Sequence, residues 1–569
     1  MKAKLHLLFF LWMGSIPLFA QETIVIPEKV YQIDFAKKLI VVNKAVAEIN
    51  TQWPGSKSAI SLDAMYSFQT PQAIVNIGIP YVVENVSNET FTLYFTELPL
   101  IEITTENTIV DDPRVLAQFT IAEPDGTIKT HPIGIEFRGG SSQAFPKKSF
   151  RIEFWADETG AATIDFTSGG LRSDDDWNLQ AMYNEPLRLR GKTNNELWRV
   201  ISPLYYGALE PDAVSGVQMI YTEVFLNGDY RGVYALSERV DRKQLKLKKY
   251  NGTVRGELYK GDDWGDAVRF LDTPIADNNS EMWSGFQYDY PDEIPIDWSR
   301  LRSFVSFVVY GSDSNFFTNY QSEFEIANAT EYFIFLNLLR ATDNVGKNIY
   351  IAKYTSGDPY FYVPWDLDGT FGNKYDGTRV NVTNDILSNG LFNRMMQDTQ
   401  LNSFNALAQQ RWNELRAYNI ISHDAIMDMF MENHDFLFRN AVYEREALEW
   451  DYTYNPDDIT YMSDWITDRL AFLDIFFANI TLSVADNFID KNDIKMYPNP
   501  AVHEFFISNP QFQTNEVTVY NLAGQKVIQK NALDNQTAIN VSGLSSGIYL
   551  VSIKTDTDIL SKKLVIKRN

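Results

Sequence analysis

The chain has no cysteine, which removes both disulfides and thiolate metal ligands from consideration. Histidine is nearly as scarce. His6, His131, His423, His434 and His503 are the whole set, and none stands at zinc-ligand spacing. Basic residues are outnumbered, 50 against 74 acids, for a formal net charge of −24. So acidic a surface repels a phosphate backbone and argues against nonspecific nucleic-acid binding. Beyond the first twenty residues no apolar run is long enough to cross a bilayer as a helix. The G-x-x-x-x-G-K-S/T order of a Walker loop is missing, as are a G-x-S-x-G elbow and an evident Ser-His-Asp set. Carboxylate pairs for glycoside hydrolysis are not excluded by sequence.

What is present is apolar and aromatic. Hydrophobic residues make up 45% and aromatics 14%, enough to bury a large core. At 569 residues the chain predicts two to four domains. Lys2 and Lys4 precede an apolar stretch that ends at the small residue Ala20. Residues 1–20 therefore read as a secretory signal peptide, and the exported chain must be stabilised by core packing or bound ions. Residues 21–96 read as a β-rich region, with IVIPEKVYQI, AIVNIGIPYVV and TFTLYFTELPL as strands. Strands continue through PIGIEFRGG, KKSFRIEFW, YTEVFLNGDYRGVYALSERV and GELYKGD, the third carrying the hairpin signal Asn227-Gly228. Residues 185–206 (EPLRLRGKTNNELWRVISPLYY) predict a helix on that sheet. From about 297 to 480 apolar residues fall at helical spacing, interrupted by the strand pair KNIYIAKYT and PYFYVPWDLD. Strands followed by helices predict an α+β fold with a largely antiparallel sheet over residues 97–480. The tail, residues 488–569, predicts a small β-sandwich.

Three groups of residues carry chemistry. In VPWDLDGTFG (363–372), Asp366 and Asp368 are two apart and would share a face if the strand continued. Two carboxylates on one side call for a cation between them. With Asp343 and Asn348, in ATDNVGKNIYIAKY, they form an oxygen donor set suited to magnesium, which keeps several waters. The plainer reading is a turn-capping Asp343 and a solvated Asp-Leu-Asp edge. The second group, FRGGSSQAFPKKSFRIEF (137–154), puts Lys147, Lys148 and Arg151 after a Gly- and Ser-rich turn. Such a turn holds phosphate oxygens or is simply a basic hairpin. The third is Glu238 and Lys260, either a cross-strand pair or cleft residues.

In this order, RGGSSQAFPKKSFRIEF, DDDWNLQAMYNEPLRLR, VFLNGDYRGVYALSERVD, DNVGKNIYIAKY and VPWDLDGTFG resemble the CotH family, the spore-coat-protein-H-like atypical protein kinases. The resemblance covers about residues 97–480. It implies an atypical protein-kinase-like domain with a mixed or antiparallel sheet and a helical C-terminal half, flanked by small β domains. It also implies ATP as donor, Mg2+ or Mn2+ as cofactor, and a secreted or surface protein as substrate. Carried over, Asp343 is the catalytic aspartate, with Asn348, Asp366 and Asp368 on the metal. Lys148 is the phosphate-contacting lysine, and Arg151, Glu238 and Lys260 belong to the nucleotide cleft. The chain departs from the family at MYNEPLRLRGKTNNE, where Arg188 or Arg190 stands for the expected arginine. YPNP, VYNLAGQKV, LSSGIYLVSI and KKLVIK resemble the C-terminal sorting domain of the Bacteroidetes type IX secretion system. That implies export to the surface or the medium through this machinery. Two other readings stay open: a noncatalytic surface adhesin or scaffold that kept the fold, and a glycan-binding protein.

Overall fold

The computed structural model describes residues 21–481, 495–508, 514–521, 525–533, 538–555 and 559–568. The signal-peptide reading of residues 1–20 lies outside them. The chain divides into two compact units, one ending at Ala478 and one beginning at Asn479.

The first unit opens with a seven-stranded sheet. Its order is Gln21–Val25, Ser56–Ser61, Met65–Gln72, Tyr81–Asn85, Thr90–Phe95, Leu39–Val42 and Tyr31–Asp34. Alternation along TFTLYF sends Phe91, Leu93 and Phe95 into one core with Ile24, Ile40 and Tyr66. Tyr94 points the other way, and with Leu39 and Val41 it packs on Leu100, Phe225 and Tyr230. The sheet is thereby fastened to a closed barrel. Round the barrel run Ile128–Arg138, Ser149–Phe154, Asp176–Gln180, Asp229–Ser237, Met219–Leu226, Leu100–Thr104 and Val115–Ala122. Phe119, Ile135, Ile152, Trp177 and Leu236 fill it. Asn227 and Gly228 both take positive φ, +53° and +82°, which makes the expected hairpin turn.

Next comes an antiparallel five-stranded sheet, in the order Met282–Trp283, Phe286–Tyr290, Glu257–Gly261, Ile349–Lys353 and Tyr360–Pro364. Behind it lies the helix Ile326–Leu339, buried on every side from Asn328 onward. A helix this apolar all round is an interior helix. It ends at Arg340 in the left-handed region, and the chain then turns into Asp343. Helices Ser299–Tyr310 and Asp313–Glu323 precede it, and Gly390–Met395, Phe404–Ala417, His423–Arg439, Val442–Glu449 and Asp457–Asn479 follow.

One expected helix is shorter than the sequence suggests, and the helical stretch read toward 480 is broken within. Residues 185–206 hold a helix only over Arg190–Ile201. Before it, the Glu185 carboxylate takes the amides of Leu187 and Leu189 and the Arg190 guanidinium, fixing a turn. Pro203 bars continuation at the other end. The run from His423 breaks at Asn440-Ala441, where Asn440 leaves the helix to accept the amide of Glu97 at 2.7 Å.

The second unit has two small antiparallel sheets, three- and four-stranded, around Phe505, Val517, Val551, Ile553 and Leu564.

Candidate active site

A cleft of about 820 Å³ opens between the barrel and the five-stranded sheet. The barrel contributes Arg138 and Arg151, and the sheet contributes Lys260 and Tyr350. Asp343, Asn348, Asp366 and Asp368 line the same cleft, so four residues far apart in two motifs come together.

The acids get there by loop geometry, not by strand alternation. The strand ends at Pro364, and Asp366 sits at φ +56°. That conformation is uncommon outside glycine, though Asp tolerates it better than most. Neighbouring side chains hold it. Asn344 is buried, and its amide nitrogen donates to the carbonyls of both Asn348 and Trp365 at 2.7 Å. The loop of Asp343 and the loop of Asp366 are thus tied through one side chain. From the helix Arg190–Ile201, Asn194 donates to Leu367 O at 2.9 Å and Thr370 Oγ1 at 2.8 Å. Arg190 donates to Thr370 O at 3.0 Å. This helix therefore braces the far side of the Asp-Leu-Asp loop.

Electrostatics in the cleft is unbalanced where the acids meet. Burial pushes the Asp368 carboxyl up to about 8, and the nearby Asp366 charge adds to the rise. Asp343 is raised by burial too, with Lys347 opposing and Asp366 reinforcing. Such carboxylates gain most from a bound cation. The donors are all oxygen, from Asp366, Asp368 and the Asn348 amide, and suit a hard ion that retains water. Among the described residues, the three acids whose ligand atoms do close to within 4.8 Å lie elsewhere, at Asp165, Asp174 and Asp175. There Lys243 already reaches Asp174 at 2.9 Å and Asp175 at 2.5 Å.

The predicted cleft cations divide. Arg151 and Lys260 line the cleft, Arg151 bonded to Asp176 at 3.1 Å and Lys260 to Asp262 at 2.5 Å. Lys148 and Glu238 are not among the lining residues. The Lys148 ammonium is turned onto the carbonyls of Gln143 and Phe145. Glu238 is buried, accepting from the amides of Arg172 at 3.0 Å and Gln218 at 3.1 Å. It follows the strand Asp229–Ser237 of the barrel, whereas Lys260 belongs to the five-stranded sheet, so the two are not a cross-strand pair.

Lys147 lines the cleft instead. It has the same parity as Ser149 and Arg151, a signal that strand alternation already carried. Its ammonium is fully buried and donates to Glu446 at 2.7 Å and Val233 O at 2.6 Å. Burial pushes it down to about 8 against the pull of Glu446. Glu446 also holds Arg188 at 3.2 Å and the Val233 amide at 2.7 Å. The carboxylate sits so close to Gly232, at φ +88°, that a Cβ there would lie 1.9 Å from Oε1. Arg188 and Arg190 thus have separate tasks, one on Glu446 and one on the acidic loop. Sequence reasoning had no means of finding Glu446, almost 300 residues from its lysine.

A family model described as CotH kinase protein matches residues 135–473. A second, described as secretion system C-terminal sorting domain, matches residues 495–567. Inner spore coat protein H of Bacillus subtilis (strain 168) is 24% identical over 259 residues, which is 44% of this chain and 61% of that protein. The chain therefore spans about three-fifths of the length of that relative.

Proposed function

The chain belongs to the CotH kinase protein family, and on that footing we propose that it is a secreted kinase moving the γ-phosphoryl group of ATP onto Ser or Thr hydroxyls of secreted or surface proteins. The observation that carries this reading is the meeting of Asp343, Asn348, Asp366 and Asp368 in one cleft walled by cations. In the proposed reaction the acceptor hydroxyl gives its proton to the Asp343 carboxylate as its oxygen bonds to the γ-phosphorus. The bond from that phosphorus to the bridging oxygen breaks, and ADP leaves. Asp366, Asp368 and Asn348 would hold Mg2+ or Mn2+, which supplies neutralising charge for the phosphates. Arg151 and Lys260 wall the cleft, while Lys148 and Glu238 support it from outside by fixing the turn at 143–145 and the end of the barrel strand.

We place the signal peptide at 1–20, the N-terminal β region at 21–96, the kinase-like domain at 97–480 and the sorting tail at 488–569. The tail would engage the type IX secretion machinery and bring the chain to the cell surface or the medium. Manganese provides the test. Mn2+ titrated into the protein without added nucleotide, which would itself chelate the ion, should lose its free-ion paramagnetic signal as the site fills. In an Asp366→Ala variant that binding should weaken about tenfold or more. Equal binding by both proteins would contradict the metal assignment.

A further inference from the structure

We propose that Arg138 is the principal phosphate-gripping side chain of the cleft, in place of either lysine of the Lys147-Lys148 pair. The inference rests on the nucleotide reading above and refines it.

Most cations of the cleft are already paired. Lys147 is committed to Glu446 and Val233 O, and Lys148 to two backbone carbonyls. Arg151 and Arg239 share the carboxylate of Asp176, to which Arg114 also bonds. Lys260 has Asp262. Among the described residues no carboxylate comes within ion-pair distance of Arg138. Its guanidinium donates to the neutral amide oxygen of Gln180 and lies 5.5 Å from the Trp365 ring centroid. A guanidinium over an indole face is held by cation–π attraction, with donors left for a further partner. It is half-buried in the cleft wall, where burial disfavours its charge and Asp366 supports it.

An arginine in that state gains from an incoming anion. Phosphate oxygens match its fork and accept two parallel hydrogen bonds. Trp365 directly precedes Asp366, so the ring that seats Arg138 belongs to the same loop as the acids. A phosphate chain between Arg138 on one side and the Asp366–Asp368 loop on the other would be fixed from both ends.

Two probes test this in the full chain: ATP with Mg2+, and metal-free tripolyphosphate, each by titration calorimetry. Arg138→Met should weaken tripolyphosphate by about tenfold or more. Arg138→Lys, which keeps the charge but loses the fork, should fall between. Lys148→Met should weaken either probe less than Arg138→Met does. Unchanged tripolyphosphate affinity in folded Arg138→Met, or a larger loss at Lys148, overturns the inference while leaving the nucleotide reading intact. Should Arg138→Met not fold, Arg138→Lys at wild-type affinity overturns it equally. A wild-type protein that binds neither probe overturns both.

Discussion

Glu446 shows how much a single side chain can organise. It accepts from Lys147, from Arg188 and from the Val233 amide, all of them buried. Removing it strands two cations in a low-dielectric interior, and an unpaired buried charge is more damaging than the pair was helpful. Glu446→Ala should lower stability by roughly 3–5 kcal/mol. Urea unfolding followed by tryptophan fluorescence would show it, and a loss under 1 kcal/mol would contradict the account. Legibility is uneven at this scale. Asp343, Asn348, Asp366 and Asp368 were readable because each sits in a short motif. Lys147 was readable only by parity, and the motif favoured its neighbour. Glu446, Asn344 and Asn194 act through contacts that no local pattern encodes.

At the scale of elements, the interior helix Ile326–Leu339 carries one acid that it does not easily accommodate. Glu331 is only 7% exposed, paired with Arg411 at 2.8 Å, yet burial raises its carboxyl from 4.5 to about 7. The folded state therefore holds its proton more tightly than the unfolded chain does. Below about pH 4.5 both states are protonated and nothing is lost. As pH rises from 4.5 through 7 the unfolded chain ionises first, and folding stability falls by up to roughly 3 kcal/mol. Glu331→Gln should flatten that part of the stability–pH curve, measured as thermal midpoint from pH 5 to 8. An unchanged slope would contradict the assignment. The helix itself was plain in TEYFIFLNLL. The overlong reading of 185–206 failed because the amphipathic pattern ran on through Pro186 and Pro203, and because the Glu185 turn is made by a side chain gathering backbone amides. The acids of VPWDLDGTFG were placed together for a strand reason, and the chain achieves it with a left-handed Asp366 in a loop.

At the scale of the molecule the described chain is two units, and the family matches fall one on each. The strand-then-helix order was legible as α+β. The closure of seven strands into a barrel was not, because closure depends on pairing strands distant in sequence, Leu100–Thr104 with Met219–Leu226 and Asp176–Gln180 with Asp229–Ser237. If the tail is a sorting signal only, deleting residues 495–567 should leave the thermal midpoint of the first unit unchanged and halt the protein before the surface. Calorimetry and cell fractionation check the two halves of that statement. A surface-delivered truncation would contradict the sorting role.

The central claim is phosphoryl transfer, and the most direct measurement is label transfer from γ-labelled ATP with Mg2+ or Mn2+ to proteins of the cell surface. The wild-type chain is compared with Asp343→Asn, which keeps shape and loses the proton acceptor. Metal-dependent transfer by the wild type that falls about a hundredfold or more in the variant is the predicted result. Transfer at equal rates in both proteins, or none by a wild type that binds metal and ATP, would contradict it.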